Sequence, residues 1–134
     1  MDTYLSEEAC QFIDALSLVS THTNPDGILL GHKRGHRYFV ERIFQSAIGF
    51  FPSYADFVKL NQIFDEKILG FYSFHVDTEK IQKILSPMTL GFLFLQIDLD
   101  KEKNISIQPY VIDYDKDFFL KPIDLKRPEN MEIR

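Results

Sequence analysis

Gly27-Ile28-Leu29-Leu30-Gly31 is a continuous apolar run bracketed by two glycines. A short run with no polar alternation suits a strand buried on both faces. The residues after it are equally legible. His32 to His36 contains Gly35 and predicts a hairpin turn. Arg37-Tyr38-Phe39-Val40-Glu41-Arg42-Ile43-Phe44 is rich in β-formers and predicts the returning strand. Upstream, Ser6 is a natural N-cap, with Glu7 and Glu8 where a helix dipole favours anions. Ala9, Phe12, Ile13, Leu16 and Val19 then recur at helical spacing, which predicts a helix over 7–19.

Downstream, Pro52 and Ser53 open a second helix carrying Tyr54, Phe57, Leu60 and Phe64 on one side. Ile68 to Phe74 predicts a third strand. Thr78 can cap a short helix with Ile81, Ile84 and Leu85, which Pro87 stops. Leu90 to Leu99 and Ile105 to Asp113 predict a fourth and a fifth strand, joined by the polar turn Asp100 to Asn104. Pro109 inside the fifth strand predicts an edge position or a bulge. After Asp113 the pattern weakens, although Phe118, Phe119, Leu120 and Ile123 are able to pack back on the sheet. Residues 126–134 read as a loose C-terminal end. The order α-β-β-α-β-α-β-β predicts one domain over 1–134 of α/β (α+β) class, a mixed β-sheet flanked by helices.

Bulk properties narrow the function. A chain of 134 residues is large enough to fold on its own core. The 13 phenylalanines read as core material. The formal charge of −5 argues against nucleic acid, whose binding needs a basic stripe. The basic cluster His32, Lys33, Arg34, His36, Arg37 reads as a solvated turn, with an acidic-partner site as the alternative. The one cysteine, Cys10, falls on the first helix and reads as buried packing. Met1-Asp2-Thr3-Tyr4 is not followed by a signal-peptide pattern, and no apolar run is long enough to span a bilayer. A cytoplasmic protein without membrane contact is the expectation. No Gly-rich phosphate loop, Cys-x-x-Cys pair or Gly-x-Ser-x-Gly elbow occurs, so no cofactor is expected.

Three stretches together resemble the JAB/MPN family, called JAMM when active. The helix from Leu5 to Val19 followed by Asp26-Gly27-Ile28-Leu29-Leu30-Gly31 is similar to the family's opening helix and glycine-bracketed strand. Tyr38-Phe39-Val40-Glu41-Arg42-Ile43 is similar to its partner strand. Gly70-Phe71-Tyr72-Ser73-Phe74-His75-Val76 is similar to the family's Gly-Trp-Tyr-His-Ser-His-Pro. The resemblance covers about residues 5 to 113. It implies an MPN/cytidine-deaminase-like architecture and, in active members, a zinc held by two His and one Asp. Water takes the fourth position and a Glu acts as base.

The resemblance also implies that this chemistry is missing. Asn24 stands where the family has its Glu, and an amide is no general base. Ser73 stands at the first zinc His, and a hydroxyl is a poor zinc ligand. His75 keeps the second. The window Lys83 to Pro87 has no Asp for the third. Asn24, Ser73 and His75 are thus a vestigial site, and neither a catalytic residue nor a metal is expected. Asp26 and Asp77 would be the acids of a remodelled site if hydrolysis survived. The expected role is a non-catalytic protein-interaction, scaffold or dimerisation module, with Phe50, Phe51 and Tyr54 as an interaction surface. The alternatives are a divergent metal-dependent (iso)peptidase and a peptide- or small-ligand-binding module.

Overall fold

The computed structural model describes residues 1–19, 26–45, 54–65, 67–74, 76, 78–102 and 104–126, without the side chains of Val19, Tyr54 and Lys80. Along the chain run β1 (Asp2–Leu5), α1 (Glu7–Val19), β2 (Asp26–Arg34), β3 (Arg37–Gln45), α2 (Tyr54–Ile63), β4 (Ile68–Ser73) and α3 (Thr78–Ile84). A 3-10 turn (Pro87–Thr89) precedes β5 (Leu93–Leu99), β6 (Ile105–Asp115), β7 (Asp117–Pro122) and β8 (Asp124–Lys126). Ser6 caps α1 as its sequence requires, its Oγ accepting the N–H of Ala9 at 3.0 Å.

The eight strands form one sheet in the order β7-β6-β5-β4-β2-β3-β1-β8. β7 and β8 sit at its two ends, yet they are separated in sequence by Ile123 alone. The segment 117–126 therefore pairs first with β6 and then, in parallel, with β1. The Ile123 N–H donates to the Pro109 carbonyl at 3.1 Å where the chain crosses from one neighbour to the other. This curls the sheet nearly into a barrel.

The expected α/β (α+β) architecture, a mixed sheet flanked by helices in the MPN/cytidine-deaminase-like manner, is not what forms. The fold is mostly β, with few helices among the described residues and a sheet that closes on itself. Two segments make the difference. Asp2–Leu5 is a strand rather than a lead-in to the helix, and 117–126 is a strand pair rather than loose packing. Pro109 is likewise not on an edge strand. β6 is flanked on both sides, and Pro109 sits just beyond the end of the β6–β7 ladder, which begins at Tyr110↔Pro122. Its missing N–H falls at the crossing, where a regular ladder partner is absent. The fourth predicted strand starts at Leu93 rather than Leu90, because the 3-10 turn and Gly91, at φ +85°, take up the first residues.

Two apolar layers hold the sheet. On the inner face, Ala9, Cys10, Ile13 and Leu16 of α1 meet Leu29, Tyr38, Val40, Tyr72, Leu95 and Ile123. On the outer face, Phe57 of α2 and Ile84 of α3 cover Ile28, Phe71, Phe94 and Ile112. Register breaks at Leu29/Leu30 and Leu30/Gly31 mark bulges opposite Leu69 and Glu41. Each lets residues three apart share a face, so Leu69 and Tyr72 both point inward, and so do Val40 and Ile43.

Candidate functional site

Of the residues expected to form a vestigial or remodelled site, Asp26 opens β2 and Ser73 ends β4. Asn24, His75 and Asp77 lie outside the described residues, as do Phe50 and Phe51. Tyr54 opens α2, its side chain outside the description. Ser73 and Asp26 are described, and the structure brings them together. They are direct partners in the β2–β4 ladder, and the Ser73 hydroxyl donates to Asp26 Oδ1 at 2.6 Å. Ser73 is completely buried. A buried hydroxyl giving its hydrogen to a carboxylate makes a strong, charge-assisted bond. The carboxylate of Asp26, named above as an acid of a remodelled site, here accepts a bond that ties two strands together.

Tyr72 adjoins this pair. Its ring lies against Gly27, where a β-carbon would come within 2.7 Å of both Tyr72 Cε1 and its hydroxyl, and within 2.1 Å of the Phe44 carbonyl. Glycine is required there by the close approach. The Tyr72 hydroxyl is buried and has no hydrogen-bond partner among the described residues. Burial, and then the negative charge of Asp26, hold the phenol far above its ordinary pKa. Among the described residues no three His, Cys, Asp or Glu side chains stand close enough to hold a metal ion.

A second arrangement was not legible in the sequence. Four strands on the outer face, β8, β1, β3 and β2, carry a cross-strand row of side chains. The register aligns Lys126 with Tyr4, Tyr4 with Phe39, and Phe39 with His32. Tyr4 stacks on Phe39 with centroids 4.9 Å apart and planes 13° from parallel. His32 stacks on the other face of Phe39 at 5.0 Å and 15°. Such aromatic pairs add stability beyond their buried area. The Arg34 guanidinium lies 5.3 Å from the Phe39 ring, within cation–π range. His32 Nδ1 meets Glu41 Oε1 at 2.6 Å, while its Nε2 is buried without a partner among the described residues. His32 is therefore not the freely solvated turn residue its neighbours suggested; Lys33, Arg34, His36 and Arg37 are exposed as expected.

Next to the aromatic row lies a charged one. Asp124 aligns with Asp2, Asp2 with Arg37, and Arg37 with Arg34. Grooves of about 310 and 420 Å³ lie along the two rows. The first is lined by Tyr4, Phe39, His32, Glu41 and Lys126, the second by Asp2, Arg34, Arg37 and Phe39. Period-2 alternation explains why these side chains share a face: Leu5, Tyr38, Val40 and Leu125, one residue away, point inward. The remaining signal, which residue faces which across strands, is absent from the one-dimensional pattern.

No protein-family model matches the sequence, and no curated protein matches it. The fold is similar to that of protein DSY2949 from Desulfitobacterium hafniense, known from a solution structure as a Northeast Structural Genomics Consortium target. The likeness has a TM-score of 0.69 over 96% of this chain and 94% of that one, at 19% sequence identity. It shows a shared fold and nothing of function. No helix among the described residues is long and apolar enough to cross a membrane.

Proposed function

We propose that the chain is a non-catalytic protein-interaction module that binds through the outer face of β8, β1, β3 and β2. The observation that carries this reading is the stacked row Tyr4–Phe39–His32, half-buried on the outer face and apart from Ile28, the β2 residue packed with Phe57 of α2. Aromatic side chains held rigid by stacking lose little freedom on binding, and Tyr and Arg are the residues in which interface energy concentrates. Here Tyr4 and Arg34 frame the patch. The reading rests on this surface and not on kinship with the JAB/MPN family. The Ser73–Asp26 bond supports the non-catalytic part, since it engages Ser73 and Asp26 in strand pairing.

A photo-reactive phenylalanine analogue in place of Tyr4, irradiated in the cells that make the protein, tests the surface. Covalent adducts with a protein are expected there, and fewer from the same analogue at exposed Glu8 on α1. A chain that forms no protein adduct from position 4 would remove the interaction reading. Stoichiometric zinc in chelator-free protein, lost on substituting Asp26, would restore the hydrolase alternative.

A further inference from the structure

We infer that the partner on this face is a second copy of the same chain, related by a two-fold axis parallel to the strands and lying over the boundary between β1 and β3. The inference rests on the interaction reading above and names its occupant.

The charged row carries the case. In strand order it reads Asp124, Asp2, Arg37, Arg34: two acids on one side of the β1–β3 boundary and two cations on the other. All four side chains lie on the outer face, since the neighbouring Leu125, Thr3 and Tyr38 point inward. A two-fold axis along the strands reverses the strand order of the opposing sheet while keeping each row at its own height. Asp2 of one copy then faces Arg37 of the other, and Asp124 faces Arg34. Reciprocity makes four opposite-charge contacts from two, the pattern an isologous interface requires.

The same operation acts on the aromatic row. Tyr4 comes over Phe39 of the second copy and Lys126 comes over His32, beside which Glu41 supplies a carboxylate. Every charge in the charged row thereby meets its opposite, and Lys126 comes near the Glu41 carboxylate. A face-to-face arrangement with the axis perpendicular to the strands would set the acidic half over the acidic half, which like-charge repulsion disfavours.

Size and shape set the strength. Four strands about 4.8 Å apart span about 14 Å from first to last. The outer face of a curled sheet is convex, so β1 and β3 touch first and the flanking strands diverge. The long side chains Arg34 and Lys126 stand on those flanking strands, where reach is needed. Interfaces smaller than about 1,200 Å² are of the transient class. The dimer is accordingly concentration-dependent and salt-sensitive, because its charge pairs are exposed.

The test is sedimentation equilibrium on the full chain, up to about millimolar concentration, at low and at high salt. Wild type is expected to dimerise, more weakly at high salt. The variant Arg34→Glu/Arg37→Glu turns the row wholly acidic, and Asp2→Lys/Asp124→Lys turns it wholly basic. Each alone should weaken dimerisation on the order of tenfold or more. An equimolar mixture should associate again, as a heterodimer, because an all-acidic row then faces an all-basic one. Circular dichroism melts on each variant separate loss of association from loss of folding. Since Arg34, Arg37 and Asp124 are exposed and Asp2 is half-buried, the melts should stay close to wild type. A variant that does not fold is replaced by Arg34→Glu paired with Asp124→Lys, which the same axis couples. A monomeric wild type throughout the range, or a dimer indifferent to both charge reversals, overturns the inference. If the chain is monomeric yet position 4 still cross-links to a different protein, the interaction reading survives and only the occupant is wrong. A monomer without adducts sinks both.

Discussion

Removing the Ser73 hydroxyl should show whether the β2–β4 contact is a structural clamp. Ser73 is fully buried and its hydroxyl donates at 2.6 Å to Asp26, which is partly exposed. A hydrogen bond to a charged group contributes about 1.5–3 kcal/mol net. Ser73→Ala leaves Asp26 able to find water, so its loss should be about 2 kcal/mol, near the middle of that range. Asp26→Ala instead takes away the charged acceptor of a buried hydroxyl, which costs about 1–3 kcal/mol. If the two act through one bond, the double variant should lose about 2–3 kcal/mol rather than the sum of about 4, a coupling of about 1–2 kcal/mol. With no tryptophan in the chain, urea unfolding is best followed by far-ultraviolet circular dichroism. In a thermal scan, about 2 kcal/mol is a fall of about 8 °C for a domain of this size. Additive losses, within about 0.5 kcal/mol, would refute the clamp. So would a wild-type protein that zinc stabilises while Asp26→Ala does not respond.

Three further outcomes are expected from the geometry. Gly70→Ala would place a β-carbon 1.7 Å from the Leu93 carbonyl oxygen in the β4–β5 ladder. It should yield insoluble protein or a loss above about 3 kcal/mol, and a melt close to that of wild type would contradict the strand spacing. Asp100 is held below the ordinary carboxylate range first by the Asn104 backbone N–H, then by the Asn104 side chain, with Glu102 adding a further backbone bond. A lowered folded pKa contributes stability that is present above about pH 3.9 and fades as pH falls through the lower folded value. Asp100→Ala should therefore flatten the acid limb of a melting-temperature profile, and an unchanged limb would show that the turn does not depend on the carboxylate. Tyr72 has the opposite sense: its raised pKa leaves stability intact below about pH 10 and erodes it as pH rises beyond. In an alkaline absorbance titration one of the six tyrosines should ionise only with unfolding, and Tyr72→Phe should abolish that late step.

Much of the local structure could be read from the chain. Ser6 with the 3.6-residue recurrence from Ala9 to Leu16 specified α1, cap included. The glycine-bracketed run specified β2, and the β-formers after Gly35 specified β3. Those signals are local: a cap, a period, a turn. Asp2–Leu5 escaped because four residues carry too little pattern to separate a strand from a helix lead-in, and its parallel partner lies over thirty residues away. The candidate surface escaped for the same reason. Tyr4, Phe39 and His32 are unremarkable in their own segments and become a stack only through register. Ser73 and Asp26 were singled out by the sequence, but as a remnant of a metal site and as an acid of a remodelled one. The bond between them depends on a β2–β4 pairing that the local pattern does not state.

The sequence by itself determined α1, β2, β3 and the turn between those strands, because backbone propensity and the periods of burial act over a few residues. Only the tertiary structure decided that the sheet curls closed through 117–126, and that acids and cations line up across four strands. Closure and register are set by which long-range pairings bury the most apolar surface together. That is a property of the whole chain at once, and no window along it carries the answer.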